Sequence, residues 1–317
     1  MSSALISGWR FKALLASVLV AAAGYLLVSL ASGWDAFVHA VVRIGAPGIA
    51  AALLMSCLNY GLRFTRWQSY LRVLGHRLPW RAHLRIYLSG FALTTTPGKA
   101  GEALRSVFLK PLGVDYHDSL AALFSERLSD LIAVLLLALA GLSLYPRLRG
   151  AVLLGFALIA VGLVLLARGV GLAWLERRGE RLGGRLGALL SHVARLLLQA
   201  RRCHGPRLVL AATALGVLAW AAEAVAFSWI THWLGIDVSL RYAVFVYAVS
   251  MLAGALSVLP GGLGGAEAAM VALLMFQKAS FADAAAATVL IRMATLWFAV
   301  GLGLVALSAQ QRRGLGP

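Results

Sequence analysis

The sequence predicts an all-α polytopic membrane protein, with about six full transmembrane helices and two re-entrant helical hairpins in an inverted repeat. Three observations lead there. Of 317 residues, 61% are hydrophobic and only 13% charged, and the mean hydropathy is +0.84, outside the usual range of soluble domains. Six apolar windows, near 11–31, 46–62, 120–144, 150–167, 207–231 and 283–308, have about the length that crosses a bilayer. Two more apolar segments, 84–112 and 241–278, are each broken by proline and glycine.

The window at 11–31 follows Arg10 and Lys12, as in a signal peptide, but it is long and lacks a small-residue cleavage site. It reads as a retained first span. WDAFVHAVVRIG then lies outside, and 46–62 returns to the basic stretch 63–85. Windows 120–144 and 150–167 go out and back around an external YPRLR. In 169–206, Leu186, Leu189, Leu190, Val193, Leu196 and Leu197 recur at helical spacing, with Arg181, Arg185, Arg195 and Arg202 on a more polar face. That pattern predicts an amphipathic helix on the cytoplasmic surface. Windows 207–231 and 283–308 complete the spans. The whole chain, 1–317, is thus one integral membrane domain, with a first half near 44–168, a linker at 169–206 and a second half near 207–308.

The net charge of +17 does not point to nucleic acid, because the arginines sort by loop. Twenty of the 29 basic residues fall in the two rich stretches, near the termini and at Lys110, and five fall in the remaining loops. The positive-inside bias puts the rich loops and both termini in the cytoplasm. It holds for every rich loop only if segments 84–112 and 241–278 each enter and leave on one side, as re-entrant hairpins do. A single kinked span in each place is the alternative. The same basic faces attract anionic lipid head groups. Cys57 and Cys203 show no disulfide or metal spacing, and neither metal nor cofactor is expected.

Set side by side, LTTTPGKAGEALR and LSVLPGGLGGAEAA share L-x-x-x-P-G-x-x-G followed by a glutamate, Glu102 or Glu267. Pro97, Gly98 and Gly101 make the first break; Pro260, Gly261, Gly262 and Gly264 make the second. Each precedes a span that carries an arginine, Arg127 or Arg292. Parity places the two hairpins on opposite sides, which makes the halves inverted, an arrangement of transporters with broken helices. Proline ends one helix, glycine allows the turn, and the next helix starts with unpaired N–H groups that attract anions. Glu102 and Glu267 then serve as helix caps, or Lys99, Arg105 and the free amides hold a lipid phosphate. Within the spans, FSERLSDLIAVLLL sets Glu126 and Asp130 on one helical face with Arg127 able to pair with Asp130. Glu223 and Arg292 are likewise intramembrane charges, which are costly unless paired or wetted. Salt bridges that hold the bundle, and direct handling of substrate or protons, are both open roles.

These stretches resemble the flippase-like family named for the transmembrane region of lysylphosphatidylglycerol synthases. Its P-x-x-x-G-E-x-x-R element is matched by Pro97, Gly101, Glu102 and Arg105, and its E-R-x-x-D span by Glu126, Arg127 and Asp130. Its L-P-G-G-x-G-x-x-E element is matched by Pro260, Gly261, Gly262, Gly264 and Glu267, and its last arginine by Arg292. The resemblance covers about 45–308. It implies a non-enzymatic, multi-pass protein of the bacterial inner (cytoplasmic) membrane that moves lipids or lipid-linked head groups between leaflets. No aminoacyl-transferase segment is expected after QQRRGLGP. The expected partners are anionic membrane lipids, with a lipid-modifying enzyme as a further candidate. A membrane-embedded lipid-phosphate enzyme and a non-transporting lipid-binding scaffold stay open as other classes. No Walker A motif suggests ATP hydrolysis.

Overall fold

A computed structural model describes residues 34–96, 102–141, 149–169, 171–257 and 259–314, and among these every regular element is helical. The expected first span at 11–31, and Pro97, Gly98, Lys99 and Gly101 of the first break, lie outside the described residues.

Helix α1 spans Trp34–Val73, bent at Gly45 with Pro47 just beyond. It replaces the external loop expected at WDAFVHAVVRIG and runs on past residue 62. The extension has a physical cause. Tyr60, Phe64, Trp67, Leu71 and Leu74 recur every three or four residues and are all buried, so the chain keeps a helical contact face. Arg63 and Arg66 lie on this helix and are buried, which corrects their assignment to a cytoplasmic loop.

Next come α2 (Trp80–Ser89), a 3₁₀ turn (Gly90–Leu93) and α3 (Leu104–Leu109). Arg105 of α3 folds back onto Gly90, where a Cβ would stand 2.8 Å from Arg105 Cγ. Helix α4 (Tyr116–Ala138) leads to α5 (Arg149–Arg168). The single amphipathic helix expected in 169–206 is instead two, α6 (Leu172–Leu182) and α7 (Gly184–Arg202). Gly183 and Gly184 have φ near +60°, a region that costs glycine little, and so reverse the chain where the leucine spacing alone would continue it. Arg195 reaches back to Glu176 at 3.3 Å to tie the pair.

Helix α8 (Pro206–Trp233) is followed by α9 (Leu240–Leu256), a 3₁₀ turn (Pro260–Gly262) and α10 (Gly265–Phe276). The last two helices form an antiparallel hairpin: Tyr242 near the start of α9 donates to the Leu273 carbonyl near the end of α10 at 2.6 Å. At the turn, Gly261, Gly262 and Gly264 all have positive φ, between 65° and 86°. Finally α11 (Phe281–Arg292) passes through a π-helical turn (Met293–Trp297) into α12 (Phe298–Gly314).

Among the described residues, three stretches are long and apolar enough to cross a bilayer: Phe37–Val73, Pro206–Trp233 and Phe281–Gln310. Helix α4 is not among them because Glu126, Arg127 and Asp130 interrupt it. Contacts between α1, α4, α8 and α9 use small residues, Ala52, Ala133, Ala219, Ala224 and Ala243, all at most 4% exposed. Small side chains let helices approach where no hydrophobic force drives them together, as in a membrane. Asn59 of α1 adds a bond to the Ala219 carbonyl of α8 at 2.9 Å.

Candidate functional site

Helix α4 carries Glu126, Arg127 and Asp130 within little more than one turn, and the bundle closes on them. Glu126 accepts from Arg105 Nη1 and from the Tyr87 hydroxyl, each at 2.9 Å, and from Arg63 Nη2 at 3.3 Å. Asp130 accepts from Arg66 Nη2 at 2.5 Å, the Trp220 indole at 3.1 Å and Arg63 Nη2 at 3.3 Å. Arg127 Nη2 stands 3.3 Å from Glu126 and Asp130 and 3.4 Å from Glu102. Thr94, at the end of the first broken arm, donates to Glu102 at 3.3 Å.

The cluster sets Arg63, Arg66, Arg105 and Arg127 against Glu102, Glu126 and Asp130, an excess of one positive charge. Hydrogen bonding is more lopsided still: about twenty guanidinium N–H donors face about twelve carboxylate acceptor positions. Several buried donors therefore lack a hydrogen-bond partner, among them Arg63 Nε and both Nε and Nη2 of Arg127. Arg105 is partly compensated by aromatic faces, 4.2 Å from the Tyr87 ring centre and 5.2 Å from that of Trp67. Arg66 is fully sealed. Arg63 also has an aromatic face, 5.7 Å from the Trp220 ring centre, and Arg63 and Arg127 both line a cavity of about 330 Å³.

The second broken segment forms the opposite wall of that cavity. Glu267 accepts from the Gly264 N–H at 2.7 Å, capping α10, and from Arg292 Nε at 2.6 Å. One carboxylate thus caps the helix, as the sequence suggests, and also pairs with the intramembrane Arg292. Arg292 also donates to the Gly261 carbonyl at 3.0 Å, fixing the glycine turn. Glu102 and Arg127 are separated by 25 positions, as are Glu267 and Arg292, so each half pairs the glutamate after its break with an arginine on the next long helix. The breaks themselves meet: a Cβ on Gly261 would stand 3.4 Å from Thr95 Cα. Tyr247 donates to Glu223 at 2.6 Å, and both line the cavity.

Of the residues singled out from the sequence, Glu102, Arg127, Asp130, Glu223 and Arg292 reach the cavity together with Gly261 and Gly262. Arg105 and Glu126 lie behind the wall and hold its front row, and Glu267 acts through Arg292. Arg63, Arg66, Tyr87 and Trp220 are part of the cluster and were not foreseen. For Arg63 and Arg66 a signal existed: they sit beside Tyr60, Phe64 and Trp67 on the same helical side, whereas Gly61, Thr65 and Arg72 face outward.

The order of these elements along the chain is that of a known family. The profile of the lysylphosphatidylglycerol synthase transmembrane region matches residues 13–303. The chain belongs to that family. Among lysylphosphatidylglycerol synthase transmembrane-region proteins, it is similar to a UPF0104 membrane protein of Methanothermobacter thermautotrophicus, 27% identical over 281 residues that cover 81% of each chain. A UPF0104 membrane protein of Pyrococcus horikoshii is 23% identical over 307 residues, 86% of this chain and 90% of that one. Family and apolar helices together make this a multi-pass membrane protein.

Proposed function

We propose that this protein is a non-enzymatic lipid transporter that moves a lipid with an anionic head group between the leaflets of the inner membrane. The observation that carries the reading is the single cavity walled by both broken segments and lined by Arg63, Arg127 and Arg292. The excess of one positive charge among the four arginines and three carboxylates, two of whose arginines line the cavity, suits an anionic head group such as a phosphate. The cavity wall also includes Leu131 and Leu259, which are 39% and 49% exposed. A head group can thus sit among the arginines while its tails stay in lipid. In this reading the fold has six full spans and two hairpins entering from opposite leaflets, with irregular backbone only where it lines the cavity.

Two measurements test this. A phosphatidylglycerol with a photoreactive head group is expected to label Leu131 and Leu252, on either side of the cavity, and to do so roughly tenfold less in Arg127→Ala. Equal labelling in both proteins removes Arg127 from head-group binding. For topology, a membrane-impermeant maleimide is expected to reach Asp35→Cys from outside and Glu180→Cys only from the cytoplasmic side. The native background is low at Cys203, since burial pushes that thiol up to about 11 and leaves little thiolate at neutral pH. The reverse labelling pattern sinks the inverted arrangement.

A further inference from the structure

A second recess lies away from the charged cavity, on the flank of the bundle where α4, α5 and the start of α6 meet. Its volume is about 370 Å³, within the range of ligand pockets. Its walls are apolar throughout: Phe124 and Leu128 from α4, Leu158 and Leu163 from α5, Leu172 from α6 and Leu197 from α7. Gly162 forms part of the floor, and a Cβ there would meet nothing within 4 Å. The missing side chain leaves a slot in α5 where neighbouring leucines would otherwise close the surface.

One end of this groove is basic. Leu166 and Leu172 both line it, and the connector between them turns at Gly169, where the Arg201 guanidinium lies 3.1 Å from the position of a Cβ. Arg201 is one helical turn beyond Leu197 on α7, so the same helix supplies both the apolar wall and the charge above it. Arg168, in the last turn of α5, is exposed two residues past Leu166. Neither side chain makes an ion pair or hydrogen bond among the described residues. Surrounding lipid explains an apolar groove by itself. The two unengaged guanidiniums at one end, which the positive-inside bias sets on the cytoplasmic side, give that groove a charge complement for a lipid phosphate.

We propose that this groove binds one acyl chain of an anionic phospholipid whose phosphate is held by Arg201 and Arg168. The bound lipid fastens the α6–α7 pair to the flank of α4 and α5, and the site is separate from the cavity of the transport reading, so either can fail without the other.

The test uses the full-length protein in phosphatidylcholine vesicles with a trace of phosphatidylglycerol or phosphatidylcholine carrying a tail diazirine, followed by mapping of the labelled peptides. In the native protein phosphatidylglycerol is expected to label residues 158–166 more than phosphatidylcholine does, by roughly fivefold for each arginine. Arg168→Gln with Arg201→Gln brings the two lipids level. Gly162→Leu fills the slot and lowers labelling by both lipids with the arginines intact, and it suits a helix better than glycine, so the protein still folds. Equal labelling by the two lipids in the native protein overturns the proposal, as does labelling that neither variant changes. An absence of label on α5, as when another part of the chain fills the groove, overturns it equally.

Discussion

Glu126→Gln is expected to destabilise the protein by about 3–5 kcal/mol, the usual cost of removing one partner from a buried ionic cluster. Glu126 is fully buried and contacts four guanidiniums, Arg105 at 2.9 Å, Arg63 and Arg127 at 3.3 Å and Arg66 at 3.9 Å. Glutamine keeps the shape and loses the charge, leaving four arginines against two carboxylates in a site that excludes water. The midpoint of denaturant unfolding in detergent checks this. A compensating change separates charge balance from shape: adding Arg66→Met removes the most deeply sealed cation and is expected to recover part of the loss, since deleting both partners of a buried pair is often nearly neutral. A midpoint for Glu126→Gln within error of the native one would show that the cluster does not hold the bundle.

Arg127→Ala is expected to do the opposite, sparing the fold and stopping transport. Its side chain is 28% exposed to the cavity, whereas that of Arg105 is 1% exposed. Its Nε has no hydrogen-bond partner, its three ion pairs are all 3.3 Å or longer, and alanine leaves equal numbers of arginines and carboxylates in the cluster. Charge-assisted hydrogen bonds contribute about 1.5–3 kcal/mol each, so the head group should bind roughly ten- to hundredfold more weakly. The transport rate read from reconstituted vesicles should fall by a comparable factor, with unfolding little changed.

The contrast between these residues shows what was legible beforehand. The spacing of Glu126, Arg127 and Asp130 gave a shared helical face, and the structure confirms the Arg127–Asp130 pair at 3.3 Å. Apolar windows located the long helices well, because a run such as 207–231 is uniformly greasy and α8 covers Pro206–Trp233. Arg63 and Arg66 were misplaced for a physical reason: an arginine at the end of an apolar run looks the same whether it faces cytoplasm or a buried carboxylate. The aromatic stripe beside them was the better guide. The α6–α7 reversal was hidden by leucine spacing that two adjacent glycines override. Contacts such as Trp220 to Asp130, 90 positions apart, belong to packing and leave no local pattern.

Passage of a charged lipid head group through the cavity between the two broken segments can be read directly. The most direct measurement reconstitutes the native protein and Arg127→Ala in vesicles containing a fluorescent phosphatidylglycerol, with and without an imposed proton gradient, and adds a membrane-impermeant quencher. The account predicts that reporter from the inner leaflet becomes quenchable with the native protein, in at least one of the two conditions, and stays protected with the variant as in protein-free vesicles. Protection by the native protein in both conditions, or equal rates for native protein and variant, would contradict it.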